Sequence, residues 1–219
     1  MRNISAFNVI FFLALVGLIA GCVTTEPNII ETGAWEQAQL SESTSIVFGR
    51  VLWLENGTQK MTDSSAFYVE PRLLRLEDKS RHLGRISENG EFAWALAPGN
   101  YVVDRIIYRD TWSGMYYFVP KVGFRIPEKG KTYYIGTLRA DFSPKRDFIG
   151  GLSGQAKISI ENDREDTYEV IEEHLRIPEN DIENSLMVHD ERLPAPIETD
   201  IAVLLATQIM NSIAISQSQ

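Results

Sequence analysis

Between residues 45 and 142 the chain is divided into short runs rich in β-branched and aromatic residues, separated by turn-forming pairs, and this punctuation restricts it to an all-β fold. SIVFGRVLWLE is followed by Asn56-Gly57, a pair that readily takes the positive φ angles of a tight turn. SAFYVEPRLLRLE and SRHLGRIS follow, the first interrupted by Pro71, whose missing ladder donor predicts an edge strand or a bulge. After the Glu88-Asn89-Gly90 turn comes EFAWAL, where Phe92, Trp94 and Leu96 alternate with Glu91, Ala93 and Ala95. Period two puts the three large side chains on one buried face. Ala97-Pro98-Gly99-Asn100 turns the chain into a further strand, YVVDRIIYRD. The pattern predicts a mainly β protein: an antiparallel β-sandwich of about seven to eight strands over residues 45–160, with C-terminal helices packed on it.

Beyond Phe142, SPKRDFIGGLSG reads as a loop and GQAKISIE as a last strand. NDREDTYEVIEEHLRI opens a helical extension, residues 161–219, with Asn162 or Asp163 as cap and acidic residues in the first turn, where the helix dipole favours them. Val170, Ile171 and Leu175 are expected to face inward, and Pro178 to end the helix. After LPAPIETD, with Thr199 or Asp200 as cap, IAVLLATQIMNSIAI is apolar on nearly every side yet too short to span a bilayer. It must bury against the sandwich or against another protein.

At the other end, MRNISAFNVIFFLALVGLIAGC has a short leader with Arg2 and an apolar run from Val9 to Ala20 of signal-peptide length. Its close, Ile19-Ala20-Gly21-Cys22, resembles the lipobox of bacterial lipoproteins. The resemblance implies that the Cys22 thiol receives a diacylglycerol, that residues 1–21 are removed by cleavage after Gly21, and that residues 22–44 form a lipidated tether. Each buried methylene contributes about 0.8 kcal/mol, so two or three acyl chains anchor a protein without a spanning helix. Val23 rather than Asp after the cysteine implies, by the same resemblance, the outer membrane, on its periplasmic or surface face. Cys22 is the single cysteine, so no thiol is left for a disulfide, a zinc site or a nucleophile.

GEFAWALAPGNYVV resembles a repeated pattern of transthyretin-like and carboxypeptidase-regulatory-like β-sandwiches, in which a Pro-Gly turn joins two neighbouring strands. VGFRIPEKGKTYYIGTLRADF, with Gly130-Lys131 leading into Tyr134-Ile135-Gly136, is similar to a hairpin of bacterial lipoproteins of this shape. Such folds host binding, structural and regulatory roles, so the likeness implies a sandwich and assigns no activity.

A net charge of −9, from 30 acidic and 21 basic residues, opposes binding to phosphate backbones, and nucleic acid is not an expected partner. His82, His174 and His189 have no metal-ligand spacing. The run Glu161, Asp163, Glu165, Asp166 lacks the central glycine of a calcium loop, and Gly150-Gly151-Leu152-Ser153-Gly154 lacks the lysine of a phosphate loop. No metal, cofactor or catalytic group is expected, and the chain reads as a non-enzyme. RDTWSGMYYFVPK stands out, because Trp112, Met115, Tyr116, Tyr117 and Phe118 surround a Ser-Gly turn. Aromatics there offer a stacking platform or an interface anchor at little cost in frozen torsions. Tyr116 and Tyr117 must point to opposite faces of a strand, leaving at least one in the core, and Trp112 is the expected exposed anchor. The expected function is therefore a lipid-anchored cell-envelope binding module for a protein partner. The alternatives are a carbohydrate-binding module using Trp112 with Tyr116 or Tyr117, and an envelope hydrolase using carboxylates such as Asp104 and Asp110.

Overall fold

The computed structural model describes residues 29–32, 42–111, 114–146, 152–175, 177–195 and 197–217. They form β1 (Ile29–Thr32), β2 (Ser45–Glu55), β3 (Thr58–Gln59), β4 (Phe67–Arg75), β5 (Arg81–Gly84), β6 (Glu91–Leu96), β7 (Gly99–Asp110), β8 (Gly114–Phe118), β9 (Val122–Ile126), β10 (Thr132–Arg146) and β11 (Leu152–Glu161). Then follow α1 (Arg164–Leu175), a short helical turn at Glu179–Asp181, β12 (Ile182–Asn184), β13 (Val188–His189) and α2 (Asp200–Gln217). A seven-stranded sheet runs β1-β5-β4-β7-β9-β13, with β8 also on β7, and a six-stranded sheet runs β11-β10-β2-β3, with β12 on β10 and β6 on β2. Segments such as β8 and β9 lie end to end beside one long strand. The sheets face each other over one core, to which Val51, Trp53, Trp94 and Ile135 come from one side and Leu73, Tyr101, Ile106 and Phe124 from the other. The fold is a β-sandwich with a C-terminal helix on it.

Local signals account for much of this. Asn56 and Gly57 take φ of 50° and 78° and close the β2–β3 hairpin. Phe92, Trp94 and Leu96 enter the core from β6, and Trp94 donates its indole N–H to the Arg85 carbonyl at 2.8 Å. Pro71 is paired in register with Ile106 and lies just before a bulge whose extra residue is on β7: β4 pairs on both sides, its register with β7 slips between Arg72 and Leu73, and β5 covers only Arg72 to Leu74. The missing donor of Pro71 lies just past the end of β5. Tyr101, buried and stacked on Phe124 with centroids 5.3 Å apart, donates its hydroxyl to the Ala97 carbonyl and pins the Pro98-Gly99 turn.

Several arrangements differ from the expectation. The Pro98-Gly99 turn carries the chain from β6 in one sheet to β7 in the other, and the Gly130-Lys131 segment likewise crosses between β9 and β10, so neither is a hairpin. The sandwich is mixed rather than purely antiparallel, because β2 and β10 run parallel from Ile46↔Thr132 to Glu55↔Phe142. Parallel pairs favour burial on both faces, and β2 obeys this. Val47, Val51 and Trp53 enter the main core, while Ile46 and Phe48 lie on the outer face beneath Tyr168 and Leu175 of α1. Val170 points to solvent instead of inward, and the buried positions of α1 are Thr167 and, in part, Tyr168 and Leu175. The Ile171 side chain is outside the description. SPKR belongs to β10, and β1 forms within the stretch read as a tether, adding in parallel to the β5 edge.

A two-glycine bulge sets how α1 is seated. Between Tyr134↔Phe48 and Thr137↔Arg50 the β10 register slips, so that Gly49 faces Ile135 and Gly136, and Gly136 adopts φ 93°. The slip turns Thr137 to the same outer face as Tyr134. Both hydroxyls donate to Asp163 Oδ1, at 2.7 Å from Tyr134 and 2.6 Å from Thr137, tying the residue before α1 to the sheet. A Cβ on Gly49 would stand 2.5 Å from the Gly136 carbonyl oxygen, a backbone atom that cannot rotate away. Gly49→Ala is expected to destabilise the fold by about 2–3 kcal/mol, whereas Gly57→Ala, whose Cβ meets nothing within 4 Å, costs only the positive-φ penalty of about 1 kcal/mol. Urea denaturation of the two variants beside the parent measures the difference.

Candidate functional site

The aromatic segment after β7 folds back as β8, with Asp110↔Gly114 through Ile106↔Phe118 in register. Strand alternation then sorts its side chains. Tyr116 and Phe118 point inward, where Tyr116 stacks on Tyr108 at 5.3 Å and Phe118 meets Trp53 at 5.6 Å. Trp53 is the hub of this end of the core, also touching Phe67, Tyr108 and Phe142. Met115 and Tyr117 point outward and are 70% and 67% exposed. Of the expected contact residues, Tyr116 is thus committed to packing, and Met115 and Tyr117 stand on the surface. Trp112 and Ser113, like Gly21, Cys22 and the Gly150-Gly151 loop, lie outside the described residues.

Beside Tyr117 the outer face of the seven-stranded sheet is built from arginines and carboxylates. The β4–β7 slip leaves Asp104 as the extra residue of a bulge, which turns Asp104 and Arg105 to the same side. Asp104 is buried, with Arg105 Nε at 3.2 Å and Arg81 Nη1 at 3.5 Å from its Oδ2. Arg105 also lies 3.6 Å from Glu198, just before α2, and its guanidinium sits 5.5 Å from the centre of the Tyr117 ring. A planar cation over a tyrosine face is an attractive contact that also fixes the ring. On β4, Tyr68 donates its hydroxyl to Glu70, and Arg72 Nε lies 3.2 Å from the same carboxylate. Burial, reinforced by Glu70, pushes the Tyr68 hydroxyl up to about 12. Tyr68 and Arg109 also line, with Ser64, Ser65 and Thr111, an open polar concavity of 330 Å³ next to the β7–β8 turn.

Arg105 and Arg109 were not among the residues singled out from the sequence, although Arg105, Ile107 and Arg109 occupy alternate positions of YVVDRIIYRD and so share a strand face. A larger hollow, of 640 Å³, opens at the start of α1 between Asp163, Arg164, Glu165 and Glu179. Part of its polar lining is already engaged: Asp163 holds Tyr134 and Thr137, and Arg164 donates to the Glu179 carbonyl at 2.9 Å. The exposed aromatic and arginine face is therefore the better candidate. Asp104 and Asp110 stand six residues apart on one strand, about 20 Å, and Asp104 is clamped between two arginines. Paired carboxylates of glycoside hydrolases lie roughly 5 to 10 Å apart. Among the described residues, no cluster of three His, Cys, Asp or Glu is placed to hold a metal ion. No protein-family model matches the chain, and no relative is found among curated proteins.

Of the histidines, His82 is buried beside Tyr101, with Ser80 Oγ 3.1 Å from Nε2 and Nδ1 without a hydrogen-bond partner. Burial pushes its imidazole below the ordinary value of 6.5. The unfolded chain therefore takes up a proton near pH 6.5 that the folded chain refuses until lower pH, and stability falls as pH drops below about 6.5. The urea midpoint is expected to decline from pH 7.5 to pH 5, and His82→Asn to flatten that decline. The window lies above the range in which the paired carboxylates Asp78, Asp190 and Asp200, all lowered from 3.8, would titrate.

Proposed function

We propose that this chain is a lipid-anchored cell-envelope protein, held at the outer membrane through an acylated Cys22, whose β-sandwich is a non-enzymatic binding module for a protein partner. In this reading it is a bacterial lipoprotein of transthyretin-like or carboxypeptidase-regulatory-like build, as the Ile19–Cys22 and Phe92–Tyr101 segments suggest.

The observation that carries the partner is β8. Met115 and Tyr117 are exposed side by side on a strand that pairs only with β7 among the described strands, and Arg105 braces Tyr117 from below. Tyr, Met and Arg are the residue types that protein interfaces concentrate at their centres, because they add contact area with few torsions to freeze. The edge of β8 that no described strand covers adds backbone donors and acceptors that an extended segment of a partner can complete. A sugar ligand is the second reading, supported by the polar concavity at Tyr68, Arg109 and Thr111 beside this strand.

Two measurements test the proposal. Cys22→Ser should move the protein from the membrane fraction to the soluble fraction, and mass spectrometry of the parent should find a diacylglycerol on the mature N-terminal residue. Affinity purification from detergent-solubilised envelopes should recover a stoichiometric protein with the parent chain, at least tenfold less of it with Met115→Ala/Tyr117→Ala, and an unchanged melting transition for that variant. Retention on cell-wall glycan that is lost in the same variant, with no co-purifying protein, would favour the sugar reading.

A further inference from the structure

Helix α2 divides its apolar residues between two faces. Ala202, Ala206 and Met210 are buried against Leu74 and Val102 of the seven-stranded sheet and Leu76 just past β4, and Gly123 leaves room for the Met210 thioether. On the nearly opposite side, Ile201, Leu204 and Leu205 are 72%, 58% and 47% exposed. Their i, i+3, i+4 spacing makes one continuous ridge. Nothing in the fold of the described residues covers this ridge, and among those residues no helix is long and apolar enough to cross a membrane.

The position of the N-terminal strand indicates what lies against it. Ile29 of β1 pairs with Arg81, Arg81 with Leu74, Leu74 with Val102 and Val102 with Gly123, so one row across the sheet runs from the first residue of β1 to the groove under α2. Ile29 is therefore two strand spacings, about 10 Å, from Leu74. The N-terminal end of α2 is fixed at the same side of the sheet, because Asp200 is paired with Lys79 in the β4–β5 turn. β1 runs from Arg81 toward Gly84 and so enters the sheet from the side of that turn. Only seven residue steps separate Cys22 from Ile29. Fully extended they reach at most about 25 Å, so a lipid on Cys22 lies within that reach of the end of β1 that enters beside the β4–β5 turn, where Asp200 holds the start of α2.

We propose that the Ile201, Leu204, Leu205 ridge of α2 rests on the surface of the bilayer that holds the Cys22 lipid, so that the sandwich is oriented on the membrane and does not swing freely from its tether. The inference depends on the acylation of Cys22 put forward above. The contact is apolar: the net charge of −9 gives no attraction to anionic headgroups, so zwitterionic vesicles suffice. An amphipathic helix seated at this level buries its ridge about 5–10 Å into the boundary between headgroups and acyl chains.

The test uses the full-length lipidated protein in vesicles of phosphatidylethanolamine and phosphatidylcholine. With the Cys22 thiol consumed, Leu204→Cys or Lys157→Cys supplies one site for an environment-sensitive fluorophore, Lys157 being exposed on β11 of the opposite sheet. A nitroxide carried near the lipid headgroup should quench the probe at 204 about twofold or more and leave the probe at 157 unchanged, while aqueous iodide does the reverse. If the protein floats with the vesicles but iodide quenches both sites equally, the docked helix is refuted and the lipoprotein reading stands. Shielding of 204 from both quenchers would mean that protein covers the ridge, which also overturns the proposal. An unacylated Cys22 and no flotation would overturn this inference and the lipoprotein reading together.

Discussion

The close approach of β2 to β10 at Gly49 and Gly136 is the constraint on which the rest of the sandwich depends. β2 and β10 are the central strands of their sheet, and every other strand of that sheet pairs with one of them. A side chain at Gly49 would drive into the Gly136 carbonyl, and a side chain at Gly136 would have to be held at φ 93°. With both positions bare the strands can pair in parallel, and the slip between them sets Tyr134 and Thr137 on one face. That face holds Asp163, and Asp163 starts α1. A register choice in the sheet thus decides where a helix sits.

The two helices solve the same problem to different extents. Each sheet has an outer face that must be covered or made polar. On the six-stranded sheet α1 lies over Ile46, Phe48, Ala93 and Tyr134, forming a small second core. On the seven-stranded sheet α2 covers only the row at Leu74, Val102 and Gly123, and past the bulge at Asp104 the face changes character. From there it carries Arg105, Arg109, Glu70 and Tyr68, with Tyr117 at its edge. Asp104 sits at the border between these regions, and its contacts with Arg81 and Arg105 bring three charged residues together where the apolar cover ends.

How much of this could be read in the residues depended on whether the deciding interaction was local. The inward face of β6 and the Asn56-Gly57 turn follow from contacts within a few residues, and each was legible. The opposite orientations of Tyr116 and Tyr117 were legible for the same reason. The parallel β2–β10 pair was not, because it joins residues some eighty positions apart and no local signal encodes strand direction. The turn at Gly130 read as a hairpin, and the one at Pro98-Gly99 as a link between neighbouring strands, since a sharp reversal looks the same whether the next strand pairs beside the last one or crosses to the facing sheet. In α1 the spacing of Val170 and Leu175 suggested an inward stripe, but the fixing of Asp163 to the sheet rotates the helix so that Thr167 is buried and Val170 is not. The role of Arg105 was hidden for a different reason: alternation puts it on one face with Ile107 and Arg109, but its neighbours there, Tyr117 from β8 and Asp104 turned over by the bulge, are set by strand pairing.

The same physics limits what the edge of β8 that no described strand covers can accept. Exposed strand edges invite indiscriminate pairing unless they are short, interrupted or charged. β8 is five residues long, and the Pro120-Lys121 break, with Lys121 at φ 54°, separates it from β9, whose outer edge carries β13. Lys121 is held in place by Glu191 at 2.9 Å, so the break is built into the fold. An incoming strand finds only a few backbone groups there, too few to bind tightly by main-chain hydrogen bonds alone. Its affinity has to come from the side chains that flank the edge, and the two that face outward from β8 are Met115 and Tyr117. An edge this short, beside two large exposed side chains, favours selection by side-chain shape over generic strand addition.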